Sequence, residues 1–413
     1  MNIAIYNHGI AFDGSSPLNK PLGGSETSIV HMARALVTCG HIVTAYVNCP
    51  NPGVYDGVFY RHYHDFFKDY LTMAWEAVIS FRSFDPFLLG RVAPRTIFWT
   101  GDAFDQPALK NFEHDSLQDN IDLVFCVSNW HRQTFIETFK LAEEKVIATR
   151  NGFSPELIPS GARKQWNRAA YSSTPFRGLD VLLKIFPQIR RSVPDISLDV
   201  FSSMKVYGMT DADDRRQFGS LYDAAAQPGV TLHGSVAQPV LLNNLANTGL
   251  FLYPNTFDET SCMAAIEAQA AGCVVVTSAK AGLNETVEHG QTGILLKGNP
   301  QSAGYQNEFV RTVCELLRRP QFLEGFSRAA TERAFQKYTW ASIASEWTAI
   351  LERMPVTVVH PRWSGPLGLL QRGNDFLRNG NVRAASRVLT ALDRTPFMRN
   401  EVEEFKGKLN TWM

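Results

Sequence analysis

Two glutamates, Glu259 and Glu267, lie eight positions apart in segment 253–285 and are the side chains best spaced to do chemistry. The apolar pattern predicts a helix from Ser261 to Ala271, so that Glu259 precedes the helix and Glu267 lies inside it. With a rise of about 1.5 Å per residue, the two carboxylates would be roughly 12 Å apart. That separation is too large for an acid and a base flanking one glycosidic bond. It suits two groups that hold different parts of one long ligand.

The start of this helix is a candidate anion site. The first turn of a helix has unpaired N–H groups and the positive end of the helix dipole, so the amides around Thr260, Ser261, Cys262 and Met263 suit a diphosphate. A carboxylate on each side of the phosphates indicates two hydroxyl-rich ends, such as a ribose and a sugar. The residues alone leave a structural alternative open, namely an N-capped helix whose alanine-rich face packs on a sheet.

The elements that must position these side chains alternate between strand and helix, which predicts βαβ units around parallel sheets. In the first half we expect one helix, Ser25–Cys39, and six strands: Ile3–Asn7, His41–Asn48, Ala77–Phe81, Arg95–Thr100, Leu123–Val127 and Val146–Ala148. In the second half we expect one further helix, Gly178–Arg191, and five strands: Ala169–Ser172, Ser197–Phe201, Gly229–Leu232, Gly249–Tyr253 and Val274–Thr277. Two Rossmann-like domains that face a cleft are the simplest α/β architecture, and such sheets bind ligands beyond the carboxyl ends of their strands.

The predicted organisation has five parts. They are a first domain (1–158), a linker (159–168), a second domain (169–338), an amphipathic closing helix (339–354) and a helical tail (365–413). The tail is predicted to form a hairpin similar to one tetratricopeptide unit, with two helices and four typical residues: Leu367–Asn379, Asn381–Asp393, Gly373, Gly380, Ala385 and Pro396. A lone unit of that kind cannot bury its own apolar face, so it should pack on the body of the protein or on a partner. The alternative is a plain helical cap.

Composition and charge narrow the class of protein. The chain has 413 residues, 45% hydrophobic and 19% charged, which suits a two-domain soluble protein. The formal net charge is zero, which argues against a nucleic-acid partner but leaves a local basic groove open.

The six cysteines include no C-x-x-C pair, so we expect reduced thiols in a cytoplasmic protein. An N-terminal strand leaves no room for a signal peptide, and no apolar run predicts a membrane span. Peripheral membrane contact stays open.

Several motifs, each weak alone, are specific in their order and spacing. Glu259 is followed by seven residues, then by Glu-Ala-x-Ala-x-Gly, an apolar strand and Glu285. The remaining motifs are Gly23-Gly24-Ser25-Glu26 before a helix, Gly40-His41 before a strand, Val127-Ser128, Asn151-Gly152 and Thr339-Trp340. Over roughly residues 1–352 this set resembles the retaining glycosyltransferases of family 4, which have the GT-B fold.

The resemblance implies a role for each matching residue. Glu267 would hold the ribose hydroxyls of a nucleotide-sugar donor, and Glu259 would hold the donor sugar together with the amides of Thr260, Ser261 and Cys262. Gly23 and Gly24 would approach the diphosphate across the cleft, because only glycine allows such close contact with the backbone. Ser235 and Val236 would lie beside the base, without distinguishing uridine from guanosine.

Two departures from the family pattern affect these roles. Arg177 matches the usual Lys at the start of the second domain, but Ser172 stands where the usual Arg would be. We therefore expect Arg177 to bind the diphosphate bidentately, with Lys205 as a second cation. Gly101 replaces a His at the end of a first-domain strand, which leaves Asp102 beside it as a catalytic candidate that faces either the donor sugar or the acceptor hydroxyl. His8, after the first strand, is a further candidate for the cleft on the acceptor side. Both could equally be structural.

The activity implied is transfer of a sugar from a nucleoside-diphosphate sugar such as a UDP-sugar to an acceptor hydroxyl, as in polysaccharide biosynthesis. The acceptor would be a glycan, a lipid-linked glycan or a protein, and transfer would retain the anomeric configuration by front-face attack without a metal or cofactor. The alternatives are an epimerase or phosphorylase on the same fold, a DNA-modifying glycosyltransferase, and a non-enzymatic interaction protein.

Two further sequence features bear on metal use and on the acceptor. Asp211-Ala212-Asp213-Asp214 contains a D-x-D, which is a metal signature in another glycosyltransferase fold but which we interpret as a solvated helix start. The acceptor loops are expected between Tyr55 and Phe112, where aromatic side chains could stack on sugar rings or simply pack.

Overall fold

A computed structural model of the chain describes residues 1–70, 73–110, 112, 115–357, 366–392 and 399–412. Parts of the predicted tail lie outside the described residues, namely its first residue at 365, the end of its second helix at Asp393, its Pro396 and its last residue at 413. Within the predicted acceptor segment 55–112, residues 71, 72 and 111 also lie outside them.

The first domain is built on an eight-stranded sheet. Its strands are β1 (Asn2–Tyr6), β2 (Ile42–Val47), β3 (Gly53–Tyr55), β4 (Val58–His62), β5 (Ala77–Phe81), β6 (Thr96–Thr100), β7 (Leu123–Cys126) and β8 (Val146–Ala148). Their order is β3-β4-β2-β1-β5-β6-β7-β8. The edge pair β3–β4 is antiparallel, and the other neighbouring pairs are parallel.

Helices cover the faces of this sheet and connect its strands. The α-helices are α1 (Ser16–Asn19), α2 (Gly24–Thr38), α3 (Asp65–Asp69), α4 (Asp115–Gln118) and α5 (Asn129–Phe139). Short 3-10 helices occupy Pro86–Leu89, Pro107–Leu109, Glu143–Lys145 and Pro155–Leu157. The central strands are apolar and buried, as expected for a parallel sheet that is covered on both faces.

The second domain repeats this architecture with a six-stranded parallel sheet. Its strands are β9 (Gln165–Ser172), β10 (Ser197–Phe201), β11 (Val230–Leu232), β12 (Thr248–Tyr253), β13 (Val274–Ser278) and β14 (Gly293–Leu296), in the order β11-β10-β9-β12-β13-β14. Its α-helices are α6 (Leu179–Ser192), α7 (Asp211–Ala224), α8 (Gln238–Asn247), α9 (Met263–Ala270), α10 (Leu283–Thr286), α11 (Ala303–Leu317) and α12 (Pro320–Lys337). A 3-10 helix spans Met204–Tyr207.

Strand β9 begins earlier than the sequence predicts. It starts at Gln165, inside the segment 159–168 that we had assigned to the linker. Its first four residues are exposed or half-buried and include Asn167 and Arg168, so they lack the apolar pattern that marks the buried half of the strand. The extended backbone therefore enters the second sheet before the sequence becomes apolar.

The closing helix α13 (Trp340–Arg353) returns the chain to the first domain. It packs against α2 and buries Trp347, whose indole Nε1 donates a 2.6 Å hydrogen bond to Oγ1 of Thr149. Just before it, Thr339 forms a parallel β-bridge with Phe153. The amphipathic helix predicted at 339–354 thus packs the end of the two-domain body against the first domain.

The tail comprises α14 (Pro366–Arg378), α15 (Val382–Leu392) and α16 (Arg399–Asn410). Its apolar side chains join one core cluster with aromatic residues of the first domain; the members include Leu369, Leu377, Val388, Phe405, Phe66, Phe67 and Tyr70. Arg387 of α15 also forms an ion pair with buried Asp85. The tail therefore packs on the body, and many aromatic side chains of the predicted acceptor segment are core residues.

The remaining global features concern membranes and thiols. Among the described residues, no helix is long and apolar enough to cross a membrane. All six cysteines belong to the described part of the chain and are free thiols, five of them buried and Cys39 half-buried.

Candidate active site

A cleft of about 500 Å³ lies between the two domains. The first domain contributes the start of α2 and the residues that follow β5 and β6. The second domain contributes the ends of β9 and β10, the loop that follows β12, the start of α8 and the start of α9. The cleft is therefore formed at the carboxyl ends of both parallel sheets, as expected for open sheets of this type.

Glu267 lies in α9 on the second-domain wall of the cleft and is buried. Its Oε1 accepts a 2.6 Å hydrogen bond from Nε2 of Gln238, the first residue of α8. Burial raises the pKa of Glu267 to about 7, because desolvation disfavours the charged carboxylate. A ligand that donates hydroxyl hydrogens to this carboxylate would favour its ionised form.

Glu259 forms a second polar centre with Arg177. Its Oε1 accepts a 2.9 Å bond from Nη1 of Arg177 and a 2.6 Å bond from the hydroxyl of Tyr253. Both bonds reach Oε1 and leave Oε2 available to a ligand. The guanidinium carbon of Arg177 also lies 4.4 Å from the ring centroid of Phe257, and Nη2 donates to Tyr207 at 3.2 Å. These two bonds use only two of the five N–H donors of Arg177, and its buried Nε has no partner among the described residues, so donors remain for a phosphate.

The start of α9 lies between these two glutamates and lines the cleft. Cys262 is its N-cap and makes no side-chain hydrogen bond to the first turn, so the first-turn amides are open to an anion. The loop before the helix is fixed by the first domain. Oγ1 of Thr260 donates to the carbonyl of Gly101 at 2.7 Å, and Nδ2 of Asn151 donates to the carbonyl of Ser261 at 3.2 Å. The helix N-terminus is thereby held against the opposite wall.

Gly23 and Gly24 stand at the start of α2, facing the start of α9. A Cβ on Gly24 would lie 3.1 Å from Sδ of Met263, and a Cβ on Gly23 would lie 2.7 Å from Oε2 of Glu26. Gly23 has ordinary backbone angles, with φ of −66°. Close approach rather than a left-handed conformation therefore explains why glycine is suited to these positions.

Three cleft-lining side chains carry buried polar atoms without a hydrogen-bond partner among the described residues. They are Oγ1 of Thr174, Nε of Arg177 and Oγ of Ser235. Buried polar groups are normally satisfied because an unmade hydrogen bond leaves an uncompensated desolvation penalty. Their concentration in one cleft is expected for a site whose ligand supplies the missing partners.

Asp102 lines the first-domain wall of the cleft, where it pairs with Arg82. Nε of Arg82 donates to Oδ2 of Asp102 at 2.6 Å, and Nη1 donates to Oγ of Ser25 at 3.2 Å. Arg82 has a φ of 56°, a left-handed conformation that is rare for residues other than glycine and is associated with functional sites. No sequence motif marks Arg82, although it directly follows the buried strand β5 and the carboxyl-end rule could have indicated it.

The structure brings most of the expected site residues together in the cleft. The expected residues that line it are Gly23, Gly24, Asp102, Arg177, Ser235, Val236, Glu259, Thr260, Ser261, Cys262 and Glu267. Two expected residues are not among the described cleft-lining residues. The ammonium of Lys205 pairs with Asp211, which is also not among the cleft-lining residues. His8 instead contacts Ser83 at 2.9 Å and Asp85 at 3.2 Å, next to the docked tail.

The D-x-D acids have separate local partners. Asp211 pairs with Lys205, Asp213 with Arg216 and the N-cap Thr210, and Asp214 accepts from Ser203 and Tyr222. Helix α7 starts at Asp211, as the sequence interpretation expects. In the described part of the chain, no three His, Cys, Asp or Glu side chains are grouped as metal ligands would be.

The sequence of the second domain agrees with this geometry. Residues 169–319 match the family model of Glycosyl transferases group 1. The matched segment includes Arg177, Glu259, Glu267 and the start of α9. The match does not extend to the first domain or to the tail.

Solved structures show that the whole two-domain body has the GT-B fold. Sucrose-phosphate synthase from Thermosynechococcus elongatus superposes with a TM-score of 0.65 at 16% identity, covering 85% of this chain and 98% of that one. Anabaena HepE in complex with UDP-glucose gives a TM-score of 0.65 at 16% identity, covering 86% and 100%. WaaG, a glycosyltransferase involved in lipopolysaccharide biosynthesis, gives 0.62 at 14%, covering 85% and 100%. At these identities the likeness establishes the fold alone.

Curated relatives match over part of their length. Lipopolysaccharide 1,2-N-acetylglucosaminetransferase of Salmonella typhimurium is 25% identical over 253 residues, which is 58% of this chain and 64% of the relative. Phosphatidyl-myo-inositol mannosyltransferase of Mycobacterium tuberculosis is 26% identical over 182 residues, which is 43% and 44%. The chain therefore spans between about two fifths and two thirds of the length of these relatives.

Proposed function

We propose that this protein is a glycosyltransferase that moves a sugar from a nucleoside-diphosphate sugar to an acceptor hydroxyl. One observation carries the proposal. A single cleft holds, in chain order, Glu259, the uncapped start of α9 and Glu267, with Arg177 beside the first carboxylate. This arrangement offers one site for a sugar, one for a diphosphate and one for a ribose. The match to the group 1 family model and the glycosyltransferase names of the relatives support it.

In this proposal each wall of the cleft binds a different part of the donor. Glu267 accepts hydrogen bonds from the ribose hydroxyls, and Ser235 and Val236 lie against the base. The diphosphate lies at the start of α9, opposite Gly23 and Gly24. Glu259 binds the sugar through Oε2, while Arg177 lies close enough to neutralise the distal phosphate. Asp102, on the first-domain wall, faces the space that remains for the acceptor.

We further propose transfer with retention by front-face attack. The bond from the anomeric carbon to the distal phosphate oxygen breaks as the acceptor oxygen bonds to the same face of that carbon. The leaving diphosphate takes the acceptor proton, so no protein nucleophile is needed. The main requirement is then stabilisation of the negative charge that develops on the diphosphate, which Arg177 and the amides of α9 supply. Closure of the two domains excludes water that would otherwise hydrolyse the donor.

The proposed donor base and acceptor class are inferred from the names of relatives and of structural neighbours. Structures of HepE hold UDP and UDP-glucose, which makes a uridine donor our first choice. The lipopolysaccharide and phosphatidylinositol relatives support a glycan or lipid-linked acceptor, with a protein acceptor as the third class. We propose that no metal or cofactor takes part. The free, mostly buried thiols support a cytoplasmic location.

A thermal-shift panel followed by an acceptor screen tests the proposal. UDP or GDP should raise the melting temperature of the wild-type protein, because a ligand that binds the native state stabilises it. The best nucleotide-sugar should then release nucleoside diphosphate faster when an acceptor is added. Conversion of the donor sugar without any acceptor would instead indicate an epimerase. If neither nucleotides nor nucleotide-sugars change the melting temperature, the proposal is wrong.

A further inference from the structure

We propose that Gln238 is a positioning residue that joins the ribose-holding carboxylate of Glu267 to the first domain through His31, so that donor binding and domain closure are coupled. The inference rests on the function proposed above. It assigns a role to Gln238, His31 and Ser154, three side chains that the sequence analysis did not identify.

These side chains form one continuous hydrogen-bonded relay. Nη2 of Arg34 donates to Oγ of Ser154 at 3.1 Å, and that Oγ lies 3.0 Å from Nδ1 of His31. Nε2 of His31 lies 2.8 Å from Oε1 of Gln238, and Nε2 of Gln238 donates to Oε1 of Glu267 at 2.6 Å. The step from His31 in α2 to Gln238 in α8 crosses from the first domain to the second.

The carboxylate end of the relay fixes the direction of its hydrogen bonds. An ionised carboxylate can only accept. Gln238 therefore donates its NH₂ to Glu267, so a neutral His31 donates from Nε2 to the carbonyl oxygen of Gln238. Nδ1 of His31 is then unprotonated and accepts from the hydroxyl of Ser154. The amide of Gln238 is then oriented with its NH₂ group toward Glu267. A flipped amide would place two acceptors against each other at one end and two donors at the other.

The relay is shielded from water, so solvent cannot replace its members. The exposed fractions are 6% for Glu267, 9% for Gln238, 2% for His31 and 1% for Ser154. The ring of His31 also stacks on Trp340 of the closing helix, with 6.4 Å between ring centroids and 20° between planes. Burial lowers the pKa of His31 to about 4, which agrees with the neutral form that the relay requires.

The relay also connects the two ends of the donor. Helix α2 begins at Gly24 in the cleft wall, and His31 lies about two turns along the same helix. A ribose that engages Glu267 orders the Gln238 amide, which in turn holds α2 and its glycines against the start of α9. Binding at the nucleoside end is thereby transmitted to the wall that faces the diphosphate.

Paired variants test the role of each donor atom, with UDP and GDP as probes in calorimetry. Gln238→Met keeps the side-chain length and removes both hydrogen bonds, while His31→Phe keeps the ring and removes the donor at Nε2. We expect each to weaken binding of the better nucleotide about fivefold to tenfold, with a larger effect on KM for the donor than on kcat. His31→Gln, which keeps a donor near Nε2, should restore most of the affinity. The matched control is His41→Phe, since His41 contacts Thr348 outside the relay.

A measurement on the wild-type protein tests the relay even if the variants do not fold. Nitrogen NMR of the histidine rings should show His31 as the neutral Nε2–H tautomer above about pH 7.5, where Glu267 is ionised, and the Nδ1–H tautomer or an imidazolium there would overturn the relay. Scattering curves should show UDP compacting the wild type and not His31→Phe. If the wild type binds UDP and the Gln238→Met and His31→Phe variants bind it equally well, the relay is refuted and the proposed function is not. If the wild type binds neither nucleotide, the proposed function fails with it.

Discussion

Arg177 and Glu259 form a 2.9 Å ion pair inside the cleft, with Tyr253 donating to the same carboxylate oxygen. The pair places a cation beside the start of α9 while holding the carboxylate in a fixed position. We expect Glu259→Gln to lower kcat about 100-fold, because a small displacement of the donor sugar has effects of that size. Binding of UDP should be unchanged or tighter, since the charge of Arg177 is no longer compensated. Calorimetry measures the affinity for UDP and steady-state kinetics measure kcat. An equal loss in affinity and in kcat would contradict the assignment of Glu259 to the donor sugar.

Arg177 should matter mainly in the transition state. We expect Arg177→Ala to lower kcat/KM by about 10²–10³, because it removes a donor that stabilises charge on the departing diphosphate. Arg177→Lys keeps a point charge and should recover part of the loss. Tyr207→Phe, which removes only the bond from Nη2 of Arg177 to Tyr207, is the matched control, and it should leave turnover within about threefold. Near-normal turnover of Arg177→Ala would rule out this role.

The raised pKa of Glu267 predicts a pH-dependent affinity for nucleotides. Ribose hydroxyls donate to the ionised carboxylate, which predominates only above its pKa of about 7. We therefore expect the Kd for UDP to rise about tenfold between pH 8 and pH 6, measured by calorimetry. In the free protein, the same carboxyl group gives folding stability the opposite pH dependence, so that stability falls as the pH rises. Because folding raises the pKa from 4.5, this group makes folding less favourable as the pH rises from about 4.5 to about 7.

Glu267→Gln is the control for this pH dependence. It keeps the size of the side chain and removes the titrating group, so its weaker binding should show only the pH dependence of the phosphates of UDP. A tenfold change that persists in the Gln variant would assign the effect to another group.

Activity should survive excess chelator. Asp211 and Asp213 are already paired with Lys205 and Arg216, and in our proposal charge on the diphosphate is neutralised by Arg177 and helix amides. The double variant Asp211→Asn, Asp213→Asn should keep turnover within about twofold, as is usual for exposed ion pairs. Loss of activity in chelator that Mg²⁺ or Mn²⁺ restores would contradict the metal-independent mechanism.

The tail should contribute to the stability of the first domain. Phe405 is 1% exposed and belongs to the core cluster that contains Phe66. We expect Phe405→Ala to lower the free energy of unfolding by about 3–5 kcal/mol, as for other buried aromatic side chains. Chemical denaturation measures the change, and UDP affinity should stay the same. Trp412→Ala, at a position 53% exposed, should change stability by less than about 0.5 kcal/mol.

The sequence predicts uniformly apolar elements better than edge elements. Strand β5 (Ala77–Phe81) was predicted to the residue because each side chain is buried, which produces a run that is apolar except for Ser80. The edge strand β3 (Gly53–Tyr55) was missed because its residues are exposed or half-buried and form no such pattern. Helix α16 (Arg399–Asn410) was missed as well, because its sequence is mostly polar.

For the site, residues within one motif could be predicted and residues brought in by the fold could not. Glu259 and Glu267 share a local pattern with the helix between them. Gln238 carries no motif, and it reaches the cleft only because of strand order and domain packing. Lys205 was expected in the cleft from its charge, but sequence alone could not show that Asp211 would hold it elsewhere.

The shared core of tail and first domain has an evolutionary consequence. Phe66 and Phe67 are buried in one cluster with Val388 and Phe405, so neither set is free to drift without the other. Relatives that carry a tail of this kind should show correlated changes between α3 and the tail helices. Relatives without one should have polar side chains on the surface that the tail covers here, and a tail grafted onto such a protein would find no apolar surface to join.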